Sequence, residues 1–405
     1  MRVACTALAL SSVVSLCPAV AGAQTVLTLA DVLARAREQA PRIISARLAL
    51  EESRGRLTGA SLRFQSNPEI DVNVGNRQGA GSRSTDLDVG AIQMFEPPGR
   101  RSARIAGATA QLDQGVAAAE ETTREVLREA AWTFYQAVYA TEQIGIARAS
   151  ADLANAVYQA ADRRFRAGDL ALLDVNLARS VLARARAQLD AGGAEQAAAL
   201  GALRALLRVE GPIAVQGSLH LAETPDAAGL ARSVDQRPEL RALEAAIREA
   251  DAEVAVAKAL SKPSYGVGLR YQREGDDQIV LGGITFSLPV FSNGQEQNAT
   301  GTARGARLRA ELDTARARVR IELQTALAIY ERRAAAARML EAEALPGLDE
   351  NEALTTRSFD VGQIGLPDVL LIRRELLETR SQYLNALLEA ALARVDVDAI
   401  AAVLR

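Results

Sequence analysis

Phe359-Asp360-Val361-Gly362-Gln363-Ile364-Gly365-Leu366-Pro367-Asp368-Val369-Leu370 has a looser upstream copy, Phe165-Arg166-Ala167-Gly168-Asp169-Leu170-Ala171-Leu172-Leu173-Asp174-Val175. In both, an aromatic is followed three residues on by Gly and then, after a short apolar run, by Asp-Val. Each copy sits between long Ala/Arg/Glu/Leu-rich segments and reads as a helix-to-helix turn. Gly supplies the left-handed residue that ends one helix, and Asp falls in the first turn of the next, where a carboxylate favours the positive end of the macrodipole. Asp174 and Asp368 stand 194 positions apart, close to half the chain, which predicts an internal duplication.

Other landmarks keep that offset. Pro41 answers to Pro238 at 197, and Asn67-Pro68 answers to Lys262-Pro263 at 195, each ahead of a strand-like run. Glu96-Pro97-Pro98-Gly99-Arg100 answers loosely to Leu288-Pro289-Val290-Phe291-Ser292. Shared Ala-rich composition accounts for the helices but not for the Pro and Gly positions.

The 405 residues are 49% hydrophobic but only 4% aromatic, with Ala supplying much of the apolar content. Small side chains suit helices packed closely along their length better than a deep globular core. The net charge of -3 excludes a strongly basic nucleic-acid surface. Nearly all cations are Arg, with Lys258 and Lys262 the two lysines, and they alternate with Asp and Glu as on a solvated helix face.

Arg2, the apolar run Val3 to Val20 and Ala21-Gly22-Ala23 before Gln24 read as a secretory signal, residues 1–23, with cleavage between Ala23 and Gln24. A membrane anchor is the alternative, and it fails on length. Both cysteines, Cys5 and Cys17, fall inside this segment, so the mature chain has neither disulfide nor thiol ligand. Val14-Ser15-Leu16-Cys17 resembles a lipoprotein box, against which the bulky Leu16 and Pro18 argue. No other segment reaches the length of a membrane helix, so a membrane position would require a closed β-barrel.

Taken in order, Thr28 caps a short helix and Pro41 starts a second, to about Leu62. Residues 69–95 form a hairpin of two alternating strands around the Gly/Ser-rich stretch 78–84. A helix from Arg100 to Ala167 carries a stripe at Leu112, Val116, Ala119, Thr123, Val126, Ala130, Phe134, Ala137 and Thr141. At about 1.5 Å per residue it would be about 100 Å long, a length that suits a conduit bridging a compartment. After the tip at 168–174 a helix returns to about Arg208, completing a first repeat, 24–208. Residues 209–236, with the sole histidine His220, form a connector. The second repeat, 237–405, has a helix from Pro238 to about Leu260, a hairpin at about 264–290, and a stripe at Leu308, Leu312, Ala315, Val319, Leu323, Ala326 and Tyr330. Pro346-Gly347 interrupts it before the tip at 362–368. The last helix, from Asp368, carries Leu377, Leu384, Leu388, Ala391 and Val395.

Helix, strand, strand, long helix, tip, helix, repeated after a signal peptide, resembles the outer-membrane efflux protein family, the TolC-like channels, over nearly the whole mature chain. The tip Gly362 to Leu370 is the most specific piece. The runs Pro97-Pro98-Gly99-Arg100-Arg101-Ser102-Ala103-Arg104 and Ser287-Leu288-Pro289-Val290-Phe291-Ser292-Asn293-Gly294 look most like the CzcC-like heavy-metal branch. The resemblance implies a mainly α, internally duplicated fold, with a long coiled helical tunnel in the periplasm and a trimeric 12-stranded barrel in the outer membrane. The strand count agrees, since four strands per chain leave open edges and three chains supply twelve. It also implies an exit duct of a tripartite pump, partnered by a periplasmic membrane-fusion adaptor and an inner-membrane RND-type or ABC transporter.

At the tips the resemblance implies a gate from Gly362, Leu366, Asp368 and Leu371, with three Asp368 carboxylates ringing the axis and apolar closure by Leu366 or Leu371. Gly168, Leu170, Leu172, Asp174, Val361 and Ile364 would meet the adaptor; Asp174 has a plain helix-capping role as its alternative. Phe95, Tyr265, Tyr271, Phe286 and Phe291 are candidates for the aromatic girdle at the membrane interface, or for ordinary hairpin packing.

An enzyme is not expected: the mature chain lacks cysteine, a Gly-rich phosphate loop and clustered catalytic carboxylates, and no cofactor or resident metal is called for. The lone His220, without Cys or clustered carboxylates, does not read as a metal ligand. Heavy-metal cations, drugs and type I secreted protein remain alternative cargoes; a secreted coiled-coil structural protein is the alternative outside the channel class.

Overall fold

A computed structural model describes residues 25–79, 82–223 and 225–404. The signal segment, with Cys17 and the expected Ala23–Gln24 cleavage, lies outside the described residues. The chain runs β1 (Thr25–Leu27), α1 (Leu29–Gln39), α2 (Pro41–Ser61), β2 (Glu69–Gly79), β3 (Ser82–Phe95), α3 (Arg100–Arg166) and α4 (Leu172–Leu207). Then come β4 (Ile213–Val215), α5 (Ala227–Val234), α6 (Pro238–Leu260), β5 (Ser264–Glu274), β6 (Asp277–Ser287) and α7 (Gln295–Met339). A π-turn (Leu340–Ala344), α8 (Leu348–Asp360) and α9 (Leu366–Ile400) complete it.

The duplication is visible in the backbone. Pro41 and Pro238 both occupy the first turn of their helices, where a missing N–H costs nothing. Gly99 and Gly294, 195 positions apart, both precede a long helix in the left-handed region, at φ 90° and 84°. At Gly294 a Cβ would lie 2.4 Å from the Ala257 carbonyl oxygen, so only glycine fits. Gly99 therefore answers to Gly294, which corrects the looser match of residues 96–100 with 288–292. Arg208 and Ala402, 194 apart, end α4 and α9 with φ 54° and 55°, the left-handed conformation without a glycine.

Helix α3 is unbroken over 67 residues, or about 100 Å. It is flanked by α2 and α6 towards the sheet and by α4 and α9 towards the tips. Ile43 at the start of α2 shares one core with Leu203 and Leu207 at the end of α4. Leu240 at the start of α6 likewise joins Val397 and Ala401 at the end of α9. The wall thus has four columns: α2 stacked on α4, α3, α6 stacked on α9, and α7 continued by α8.

The α7 stripe is buried at all seven expected positions. In α3 the stripe is buried at Val126, Ala130, Phe134 and Ala137 as expected, but near its start Val116 is exposed and Ala117 is buried instead. In α9, Leu384, Ala391 and Val395 are buried as expected, Leu376 and Leu387 are buried where Leu377 and Leu388 were expected, and the helix begins at Leu366 rather than Asp368. A helix packed against several neighbours along its length does not keep one stripe in register.

Two further differences appear. The connector is not irregular: β4 pairs in parallel with β1, Thr25 opposite Ile213, and α5 follows, capped by the Asp226 carboxylate on the Ala228 N–H. The expected Gly/Ser-rich loop at 78–84 is mostly strand, with pairing continuing to Gly79↔Ser82.

Candidate functional site

Four strands make one antiparallel sheet in the order β2-β3-β5-β6, so the two hairpins join through β3 and β5. Strands of eleven residues match the length that crosses a bilayer at a tilt. Pairing assigns each side chain to a face. Ile70, Val72 and Val74 of β2 stand with Leu87, Val89 and Ala91 of β3, Val267, Leu269 and Tyr271 of β5, and Val280 and Ile284 of β6. This face is apolar yet exposed: Ile70 is 71%, Leu269 67% and Val280 73% accessible. A contiguous exposed apolar face of this size is a lipid-facing surface rather than an accident of folding.

The opposite face is polar and internally paired across β2, β3 and β5, with Ile92 and Met94 towards the helix end and Ile279 and Leu281 on β6. In one row across the sheet stand Asp71, Gly90 and Arg270. Gly90 leaves open the path by which Arg270 reaches over β3 to Asp71 at 3.0 Å, while also binding Asp88 at 2.7 Å. A Cβ on Gly90 would collide with the Asp71 carboxylate. From the other hairpin Arg77 binds Asp86 at 2.9 Å and Glu274 at 2.6 Å. Each hairpin therefore extends one arginine to the other, Arg270 to Asp71 and Asp88 and Arg77 to Glu274, which locks the two repeats edge to edge. Among the described residues no helix is long and apolar enough to cross a membrane.

The girdle candidates divide. Phe95, Tyr265 and Phe286 form one row across three strands at the end of the sheet next to the helices, with Phe95 stacked on Tyr265 at 5.1 Å. Tyr271 lies six residues along β5, inside the apolar face. Phe291, 93% exposed, is in the loop after β6. Phe64 packs edge-on against Phe95 at 5.7 Å and was not anticipated; the pre-Pro segment that carries it has no strand periodicity to single it out.

At the far end of the wall the two tips have identical turns. The Gly168 N–H donates to the Phe165 carbonyl and the Asp169 N–H to that of Arg164, as Gly362 donates to Phe359 and Gln363 to Ser358. Gly168 and Gly362 have φ 86° and 76°. These are paired Schellman closures. One apolar cluster joins the tips through Val157, Ala161, Val175, Phe359, Leu366 and Val369, with Leu170 and Ile364 at its edge. The Arg164 guanidinium lies 5.3 Å from the Phe359 ring centre.

The site residues are placed as follows. Leu366 is 2% exposed inside this cluster, so it faces the neighbouring tip and does not stand free to close an opening, as expected of it from sequence. Leu371, Val361 and Leu172 are 67%, 66% and 55% exposed. Asp368 is exposed, and its Oδ2 accepts the Gly365 N–H at 3.2 Å. Asp174 is half-buried and in the first turn of α4, where no side-chain cap is formed. His220 is exposed, its Nδ1 3.1 Å from the Ser218 carbonyl oxygen.

At mid-height the wall carries a buried charge cluster. Arg237, 5% exposed, meets Glu239 at 3.2 Å and Glu322 at 3.0 Å, with Glu121 at 4.0 Å. Burial pushes the Glu121 carboxyl up, but Arg124 and Arg237 outweigh it and hold the group below the usual carboxylate range.

The family model described as outer membrane efflux protein matches residues 32–207 and 230–403, one copy per repeat. The chain is 26% identical over 380 residues, 92% of its length and 90% of the relative's, to the cobalt-zinc-cadmium resistance protein CzcC of Cupriavidus metallidurans. In fold it is similar to CusC, with a TM-score of 0.78 at 17% identity over 92% of this chain and 91% of that one. The open state of the MtrE outer membrane channel of Neisseria gonorrhoeae superposes with a TM-score of 0.75 at 19% identity, over 93% and 89% of the two chains.

Proposed function

Because the chain belongs to the outer membrane efflux protein family, we propose that three copies close a 12-stranded barrel in the outer membrane and continue it as a helical duct into the periplasm. The observation that carries this is the sheet: one exposed apolar face, one polar face, and unpaired outer edges on β2 and β6. Edge strands of this length are not left open in solution. Pairing β6 of one copy with β2 of the next satisfies both edges, and repetition closes the ring.

The duct is passive: it binds no energy source and is fed by an inner-membrane pump through a periplasmic adaptor. The exposed Leu172 and Val361, beside the inter-tip cluster, supply apolar contact for the adaptor. Three Asp368 carboxylates around the axis would favour cations, with Leu371 as the apolar neighbour. The likeness to CzcC supports heavy-metal cations as cargo and an RND-type pump as partner. Drug efflux and type I secretion use the same architecture, and the genes beside this one discriminate them.

Mass measurement of the detergent-solubilised protein, followed by planar-bilayer recording, tests the reading. A trimer with steady conductance is expected, and Asp368→Asn should lower its preference for cations over anions. A monomer that stays soluble without detergent would overturn it and favour the secreted coiled-coil alternative.

A further inference from the structure

All four passages of the chain between helices and sheet lie at one end of the sheet, and their chemistry differs from that of the rest of the molecule. Exposed apolar side chains crowd there: Phe64 is 48%, Val290 69% and Phe291 93% accessible. Phe64 is tied to the apolar face by its edge contact with Phe95. Both lysines of the chain, Lys258 and Lys262, are at this same end, at the close of α6 and just beyond it. Arg63 lies over the Phe64 ring at 5.7 Å, and Arg101 donates to the Ser61 carbonyl at 2.9 Å. The Lys262 ammonium lies 3.4 Å from the Pro98 carbonyl oxygen.

None of Arg63, Arg101, Lys258 and Lys262 has a carboxylate within 4.0 Å among the described residues. Of the carboxylates at this end, Glu96 is occupied by Arg104 at 2.7 Å and Arg100 at 3.7 Å, Glu69 stands on the polar face of the sheet, and Glu296 lies in the first turn of α7, where it complements the helix N-terminus. At the opposite end of the sheet Arg77, Arg83 and Arg273 are outnumbered by Asp86, Glu274, Asp276 and Asp277.

We propose that this collar binds the phosphate headgroups of anionic phospholipid in the membrane leaflet on the helix side. The unpaired cations would sit at headgroup level while Phe64, Val290 and Phe291 enter the acyl boundary. Two features select this occupant: charge complementarity, and continuity with the lipid-facing sheet, whose aromatic row is directly adjacent. The inference rests on the outer-membrane placement of the sheet. Closing the barrel would bring Val290 and Phe291 of one copy beside Arg63 and Phe64 of the next, making the collar continuous.

The test uses the purified full chain in detergent with fluorescent phosphatidylglycerol or phosphatidylcholine added to the micelles. Phosphatidylglycerol should be retained preferentially, and the preference should fade with salt. Arg63→Gln with Lys262→Gln should weaken retention about fivefold for each cation removed. The control Arg83→Gln with Arg273→Gln, at the acidic end, should leave it unchanged. Equal retention of the two lipids by the wild type overturns the proposal, as does full retention by the collar variant. So does equal competition by inorganic phosphate, which would mean an anion site that needs no membrane. Should the collar variant fail to fold, the wild-type salt series and lipid comparison decide alone. Lipid preference in a protein that proves monomeric would retain the collar and discard the barrel.

Discussion

The two tips have the same turn and different settings. Phe165 and Phe359, 194 positions apart, close the same Schellman pair, yet Phe165 is 38% exposed and Phe359 7%. Leu172 and Leu366 open the returning helices, one 55% exposed and the other 2%. The first tip hangs on the unbroken α3. The second is reached through a π-turn and then Gly347 at φ 85°, so its approach has a break where the other has none. Duplication preserved the turn chemistry, which is local. Burial diverged at the turn itself: both tips contribute to the inter-tip cluster, but the second turns Phe359 and Leu366 into it where the first leaves Phe165 and Leu172 outside.

The largest test of that contrast is Leu366→Ala, which should cost about 2–4 kcal/mol, whereas Leu172→Ala should stay within about 0.5 kcal/mol. Hydrogen exchange at the start of α9 and of α4 reads both, and equal losses would break the distinction. Alanine at Gly168 or Gly362 should cost a similar amount, about 1–2 kcal/mol each, since both require the left-handed region. A tip that tolerates it is not the copy of the other. Glycine at Arg208 and at Ala402 should raise the thermal midpoint in both repeats, each gaining up to about 1 kcal/mol. Asp368→Ala should cost about 0.5–1 kcal/mol through the lost Gly365 bond, and Asp174→Ala less, as no cap is made there.

Acid gives the smallest effect and acts at mid-height rather than at either tip. Glu121 is held below its ordinary value, so its stabilisation is complete above the usual carboxylate range and is lost as pH falls through the lowered folded value. Between about pH 5 and about pH 2 the wild type should lose more thermal stability than Glu121→Gln. Parallel curves would remove the cluster from the account.

Much of this was legible in the sequence because Pro and Gly are local punctuation. Pro41, Pro238, Gly168 and Gly362 each fix a backbone position without help from distant residues. The α7 stripe was legible for a related reason: its apolar positions all face one column. What escaped notice depends on partners far along the chain. Three residues of β1 are a strand only because Ile213–Val215 lies beside them. The Gly/Ser run at 78–84 read as a loop because a sheet with one polar face tolerates residues that a buried strand would not. Leu366 read as a gate because nothing near it in sequence announces the facing tip, and Arg208 and Ala402 hold a glycine's conformation without being glycine.

The stacking of α2 on α4 and of α6 on α9 puts both joints at the same level, while α3 and α7 run through. Such a wall has a seam at one level, crossed by two continuous helices. A pull applied at the lower end travels along those helices, and sideways flexing concentrates at the seam, which the β1–β4 pair splints at the α2–α4 joint.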